Sequence, residues 1–500
     1  MGTNKSKKIF LIYTSNRKLF PFFPASSLAL ASSLLKAGYE PIIVDSELED
    51  WRKYDYSQAL CVCISTFTCQ WLKRALAISK EIKAKFPDMK IFWGGPHAVA
   101  LPEVTAEHEL ADAVCYTEGE QVVVDLANAL YEGKTDFAHI KGIVYKNSKG
   151  EIIKTPLPEF MNMDAVDFPP YHLLNLNLYK IKSGIVYYQT SRGCPYGCKF
   201  CRYEDFDKWR AMSPEKVISD FQKIAELFNP ETVHIFDGEF FIDIARVRKI
   251  LRMKVDKKIG FQWAASCRFD NFARLTNDDL ILLKQSGCKE LKFGGESGSE
   301  NVLKSINKKT QPWQIVEGVR RCSQHGIAPT LSFMMGFPSE TTEDLDQTIS
   351  LIDKLRKDYP KTDINGLFML EHMPNTPLTN EILKKYNIDY PNTLDEWAEY
   401  SLFWTKRSAY PWLTDKEYSY RKTLEAIVSY IYMVNVLLRL SENTRKNTVL
   451  SSKILFSIFK LIDRVIRKTS IKLRWEKRIG FFPIEWRIWN LIREYVLEAI

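Results

Sequence analysis

The stretch SRGCPYGCKFC (Ser191–Cys201) sets three thiols, Cys194, Cys198 and Cys201, at spacings of four and three residues, with no fourth beside them. Gly193, Pro195 and Gly197 make this a loop and not a packed strand, so three cysteines gathered by chance as core residues is the weaker reading. A structural zinc site closes a tetrahedron with four protein ligands, usually as two CxxC-like pairs or a CxxC with a later histidine pair. No second pair follows: Cys267, Cys288 and Cys322 stand singly, and His234, the nearest downstream histidine, sits in an apolar run. A four-iron cluster held by three thiolates keeps one iron open to a further ligand, and the missing fourth cysteine then becomes the functional feature.

CxxxCxxC directly after the strand-like GIVYYQTSRG, with the aromatic Phe200 before the last cysteine, resembles the cluster loop of the radical S-adenosylmethionine (SAM) enzymes. In that family the open iron chelates the amino and carboxylate groups of SAM, and an electron from the cluster cleaves SAM to methionine and a 5'-deoxyadenosyl radical. The resemblance leaves the protein to hold the reactive carbon near the substrate and keep other reactants out.

At 500 residues, 45% hydrophobic and 26% charged, the chain has room for two or three globular domains. Residues 1–8 are polar and KIFLIY is too short for a secretory core, so the ten cysteines are expected to be reduced thiols of a cytoplasmic protein. The longest apolar run, AIVSYIYMVNVLL (Ala426–Leu438), is shorter than a membrane span. Charge is concentrated at one end: Arg439 to Arg493 holds 14 basic against 4 acidic side chains, which exceeds the net +9 of the whole chain. There Ile454, Leu455, Ile458, Leu461, Ile462 and Val465 recur at helical spacing, with Lys453, Lys460, Arg464 and Arg467 on the polar side. A core-facing helix with a solvated face is the plainer reading, and a peripheral contact with an anionic membrane or a lipid-type substrate is the sharper one. No RNA-binding module is recognisable, and no nucleic-acid partner is expected.

Residues 1–140 alternate strand and helix, which predicts a Rossmann-like α/β domain with a parallel sheet. Ligands on such sheets sit beyond the carboxyl ends of the strands. The expected strand ends are Ser65, Thr66, Phe67 and Thr68; Gly94, Gly95, Pro96 and His97; and Glu118, Gly119 and Glu120. This order, with FWGGPHAVALPE, resembles the cobalamin-binding domain that precedes the radical SAM barrel in one subclass, and the resemblance makes those eleven residues the cobalamin-site candidates. The DxHxxG motif that supplies a lower axial histidine in other cobalamin domains is absent, so His97 is expected to shape its loop or meet the nucleotide tail. No GxGxxG follows the first strand, which argues against a dinucleotide site.

Residues 141–182 read as a hairpin, GIVYKNSKGEIIKT, and a Pro-rich linker. Residues 183–375 form a second alternating series of six units, a partial (β/α)6 barrel of the TIM type with functional side chains at the strand carboxyl ends. By resemblance, Asp237, Gly238 and Glu239 meet the SAM amino group, Arg268 its carboxylate, Glu296 and Ser297 the ribose and carboxylate, and Phe200 with Gly336 flank the adenine. Residues 376–500 are expected to be a mostly helical, basic C-terminal extension whose Trp- and Tyr-rich start, TLDEWAEYSLFWTKRSAYPWLTDKEY, caps the barrel mouth.

Together these resemblances imply an enzyme carrying a 4Fe–4S cluster, SAM and cobalamin and fed by a flavodoxin- or ferredoxin-type electron donor. The implied reaction is methylation of an unactivated carbon of a small-molecule, lipid or glycan substrate. The 5'-deoxyadenosyl radical removes a hydrogen atom, and methylcobalamin supplies the methyl group. A cyclase, oxidase or rearrangement enzyme using the same cofactors is the alternative. A methylthiotransferase would want a second three-cysteine site, but Cys61, Cys63, Cys69 and Cys115 read mostly as core. A non-enzymatic cobalamin or zinc-binding protein is the reading from a different class.

Overall fold

The structure, a computed structural model, describes residues 6–14, 22–179, 184–202, 208–400 and 406–444, with side chains to residue 432. The basic helix expected around residues 454–465 lies outside the described residues. No helix among the described residues is long and apolar enough to cross a membrane.

The first sheet has strands β1 (Lys8–Tyr13), β2 (Glu40–Asp45), β3 (Ala59–Ser65), β4 (Ile91–Gly94), β5 (Ala113–Cys115), β6 (Ile143–Lys146) and β7 (Ile152–Lys154), in the spatial order β2-β1-β3-β4-β5-β6-β7. The first five are parallel, and the hairpin β6–β7 continues the sheet antiparallel. The hairpin thus extends the first sheet beyond β5. Helices cover both faces, so the central strands are apolar on both sides: Ile9, Leu11, Cys61 and Cys63 face one core, and Phe10, Ile12, Val62 and Ile64 the other. The strand order reverses between β1 and β3, and the crevice beyond that switch point is where a doubly wound sheet receives its ligand.

A short antiparallel ribbon, β9 (Ser191–Arg192) with β10 (Arg210–Ala211), follows β8 (Ile185–Tyr188). The barrel strands are β8, β11 (Thr232–Ile235), β12 (Gln262–Ser266), β13 (Cys288–Glu296), β14 (Ala328–Met335) and β15 (Asp363–Met369). They run parallel in the order β15-β14-β13-β12-β11-β8, six strands that leave the barrel open between its edges. Local sequence sets the helix ends. Ser213 caps the helix Pro214–Phe228 and Asn229, at φ +42°, stops it, while Thr341 and Asp344 form a capping box on the helix Thr342–Asp358.

The segment expected to cap the barrel mouth divides between two places. Trp397, in the helix Leu394–Glu399, is fully buried in the core on the outer face of the first sheet, and Lys73–Glu399 (2.6 Å) and His108–Asp395 (3.3 Å) ties surround it. Tyr410 and Trp412 instead reach the carboxyl ends of β14 and β15: Tyr410 Oη donates to the Leu370 carbonyl at 2.7 Å and Trp412 Nε1 to that of Gly336 at 3.1 Å. The chain after the barrel therefore returns to the first domain before closing over the second. Truncating Trp397 to Ala leaves a cavity in the first domain's core. A loss of about 3–5 kcal/mol is expected, read as a lowered urea midpoint with faster amide exchange in the helix Gln70–Lys85.

Candidate functional site

The carboxyl ends of the two sheets face each other across a cavity of about 760 Å³, within the range of cofactor and ligand sites. From the first sheet its wall takes Ser65, Phe67 and Thr68 after β3, Gly94, Gly95 and Pro96 after β4, and Glu118, Gly119 and Glu120 after β5. From the barrel it takes Gln189, Arg192 and Gly193 after β8, Phe236 and Gly238 after β11, and Glu371 and Met373 after β15. Gly95 has φ +88°, and a Cβ there would lie 2.8 Å from Ser65 Oγ and from the Thr66 backbone, so only glycine lets the β3 and β4 loops close on each other.

Two of the eleven candidates in the first domain stay out of this wall. Thr66 is fully buried and donates to the Phe67 carbonyl at 3.1 Å. His97 is also fully buried, between Thr68 Oγ1 (3.3 Å) and the Trp397 ring. Burial, reinforced by Arg202, lowers its pKa to about 3, so the imidazole is neutral. His97 thus shapes the loops behind the cavity.

Gly193, in the cavity wall, opens the cysteine loop. Lys199 N donates to the Ile306 carbonyl at 3.1 Å, Asn307 Nδ2 to that of Gly197 at 2.5 Å, and Leu378 N to that of Lys199 at 2.8 Å. These bonds tie the loop to the turn after the helix Glu300–Ser305 and to the helix Pro377–Lys385. Cys198 is buried and Cys194 and Cys201 are half-buried. Burial pushes the Cys194 thiol up to about 11, helped by Cys201 and Glu239. Among the described residues no three Cys, His, Asp or Glu side chains are placed to hold a single metal ion.

Several residues expected to face SAM are occupied in holding this loop. Asp237 accepts four hydrogen bonds, from the backbone N–H and hydroxyl of both Thr190 and Ser191, at 2.6–3.0 Å. That fills the acceptor capacity of a carboxylate, so Asp237 anchors the strand leading into the cysteines and is not free for an amino group. Ser297 is fully buried, bonded to Thr348 Oγ1 at 2.9 Å and accepting from Ser299 N at 3.0 Å. Arg268 pairs through Nε and Nη2 with both oxygens of Asp270 (2.9 and 3.0 Å), donates to the Lys308 carbonyl, and reaches Cys198 Sγ with Nη1 at 3.2 Å. Its Nε and Nη2 are thus committed to Asp270 and the Lys308 carbonyl.

Of the remaining SAM candidates Gly238 lines the cavity. Glu239 is buried beside Cys194 and Arg268, and burial pushes its carboxyl up to about 7. Glu296, at φ +56° where β13 bulges, bonds to Lys308 Nζ at 2.7 Å through one oxygen. Phe200 packs against the small core cluster that includes Phe337, Leu370 and Leu378. Gly336, at φ +85°, turns the chain after β14, with its N–H bonded to Glu340 at 2.6 Å.

Two features escaped sequence reasoning. Glu118 and Glu120 form a four-member charge cluster with the barrel side. Arg192 reaches Glu120 at 2.5 Å and Glu118 at 3.3 Å, and Arg210 reaches Glu118 at 2.8 Å. Nothing local in the sequence pairs residues this far apart. The second is Glu371, at the end of β15 in the cavity wall, pushed up to about 7 by burial and by Glu425 against the pull of Lys422. Its signal was present, since it is the first acidic residue after the last barrel strand.

Residues 188–352 match the Radical SAM superfamily. An uncharacterized methyltransferase of Pyrococcus horikoshii is 29% identical over 385 residues, 74% of this chain and 82% of that protein. The anaerobic magnesium-protoporphyrin IX monomethyl ester cyclase of Rubrivivax gelatinosus is 24% identical over 434 residues, 79% of this chain and 76% of that one. Among solved structures, the cobalamin-dependent SAM radical enzyme OxsB with aqua-cobalamin bound superposes at a TM-score of 0.73 and 18% identity, over 99% of this chain and 76% of its own. The radical SAM methyltransferase TsrM from Kitasatospora setae, with cobalamin and a 4Fe–4S cluster bound, gives 0.64 and 19% over 76% and 75%. These likenesses establish the fold as a Rossmann-like sheet joined to a partial TIM-type barrel.

Breaking the interdomain cluster by Glu120→Gln leaves Arg192 short of a buried partner and is expected to cost about 3 kcal/mol, read from the urea midpoint of the apo chain. Glu239, Glu340 and Glu371 each sit at about 7 through burial. The folded chain therefore holds protons that the unfolded chain releases near an ordinary carboxylate pKa. Their contribution to stability is present at low pH and lost as pH rises toward 7. The drop in urea midpoint between about pH 5 and about pH 8 should shrink in Glu371→Gln, whose side chain cannot ionise.

Proposed function

We propose that the chain is a cobalamin-dependent radical SAM methyltransferase that adds a methyl group to an unactivated carbon of a small-molecule substrate. The observation that carries the proposal is the shared cavity, whose wall joins the loops beyond a doubly wound sheet to Gly193 at the head of a three-cysteine loop. A cofactor on the first sheet and a cluster on the barrel would open onto one space, as transfer between them requires.

The residues present fit the three groups. Cys194, Cys198 and Cys201 would hold the cluster, leaving one iron for SAM. Gly238, Glu239, Glu296 and Phe200 would meet SAM. Ser65, Phe67, Thr68, Gly94, Gly95 and Pro96 offer cobalamin a floor of small and apolar residues on which no histidine projects. When bound, the cluster and SAM supply a hydrogen-abstracting radical, and cobalamin supplies a transferable methyl group. The chain's own part is to exclude water and orient the reactants. Phe67, Trp71, Tyr187 and Phe236 form apolar walls that deny a radical other partners, and Glu371 is placed to accept or return a proton at the substrate. Electrons would come from a flavodoxin- or ferredoxin-type donor.

A second reading keeps the cofactors and ends in cyclisation or another rearrangement, and it is favoured by the similarity to the Rubrivivax cyclase over most of both chains. Anaerobically reconstituted protein given SAM labelled in its methyl group separates the two. A product carrying the label is expected. 5'-Deoxyadenosine formed with an unlabelled, altered substrate would instead select the rearrangement. Replacing the three cysteines by Ala should abolish iron and sulfide binding and SAM cleavage while leaving cobalamin uptake, because the cavity floor comes from the other sheet.

A further inference from the structure

The guanidinium of Arg268 is fixed from several sides. Asp270 takes Nε and Nη2 in a bidentate pair at 2.9 and 3.0 Å, and the Lys308 carbonyl accepts from Nη2 as well. The Tyr196 ring lies 4.0 Å from the guanidinium carbon, and Tyr196 is itself held by a bond from its hydroxyl to Asn271 Oδ1 at 2.7 Å. The direction this leaves open is the one Nη1 takes, toward Cys198 Sγ at 3.2 Å. Cys198 is the buried one of the three cysteines, and Arg268 is 7% exposed. An N–H aimed at a buried sulfur from a rigid cationic fork interacts much more strongly than it would in water.

Resting on the assignment of the three cysteines to a four-iron cluster, we propose that Arg268 raises the reduction potential of that cluster through its hydrogen bond to the Cys198 sulfur. On reduction the cluster gains one electron from a low-potential donor and no proton moves, so its thiolate sulfurs become more electron-rich. A donor at one sulfur, carried on a cation, stabilises this reduced form more than the oxidised one. Asp270 offsets part of the charge and fixes the direction of the N–H, so it is a positioning residue for the same bond. The arrangement would ease loading of the electron that SAM cleavage consumes.

The test uses the full-length chain, reconstituted anaerobically with iron and sulfide. The cluster potential is measured without SAM by EPR-monitored titration with dithionite, for wild type, Arg268→Met, Arg268→Lys and Asp270→Asn. In Arg268→Met the ratio of reduced to oxidised cluster at a fixed poise is expected to fall about tenfold, a shift of 59 mV to more negative potential for a one-electron couple. Arg268→Lys, which keeps a cationic donor without the fork, should recover part of the shift. Wild-type potentials in variants that hold a full cluster would overturn the proposal, and weaker SAM binding with unchanged potential would return Arg268 to the SAM carboxylate. Should Arg268→Met fail to hold iron, Arg268→Lys and Asp270→Asn decide, and wild-type potentials in both overturn it. A wild-type chain that takes up zinc and no sulfide would defeat the cluster assignment itself.

Discussion

Glu118 and Glu120 on one side and Arg192 and Arg210 on the other hold the carboxyl ends of the parallel strands of two sheets face to face. A carboxylate or guanidinium taken out of water without its partner costs several kcal/mol, so each of the four obliges the others to stay. Arg192 is followed directly by Gly193 and Cys194. The position of the cysteine loop therefore depends on a domain that contributes no cysteine to it, and the shape of the cavity and the placing of the thiols are one constraint. Aromatic packing supports the same join, since Phe23 of the first domain sits against Tyr171, Tyr179 and Phe228.

Behind the cavity wall, polar side chains are spent on each other. Asp237 fastens Thr190 and Ser191, Arg246 donates to the Thr190 and Met212 carbonyls, and Ser297 fastens Thr348. Arg268 links Asp270 to the cysteine loop. Such a layer holds a reactive centre still, and the side chains and backbone inside it are left to face ligands. Polarity at a strand end is thus ambiguous: the same Asp can serve a ligand or the loop that holds the ligand, and only the neighbours decide.

The C-terminal segment adds a further tie. By placing Trp397 in the core of the first domain and Tyr410 and Trp412 at the ends of β14 and β15, it spans the two sheets from outside while the charge cluster spans them from within. Arg421 carries this on, pairing with Glu340 at 3.3 Å next to the Gly336 turn. The join between the domains is consequently held at more than one place, which suits a cavity whose two walls must keep their spacing.

Much of this was legible in local pattern. Strand and helix alternation gave both parallel sheets, since buried strands and amphipathic helices are written in short-range periodicity. The cysteine spacing marked the loop, because three thiols set among glycines and a proline are themselves a local pattern. Tertiary structure alone decided which strand-end polar groups turn outward, that Arg268 points at a sulfur, that His97 lies behind the cavity, and that Glu118 and Glu120 reach arginines of the other domain. Those outcomes are set by contacts between residues tens of positions apart. A one-dimensional pattern records what a residue can bond, and the fold determines which partner arrives first.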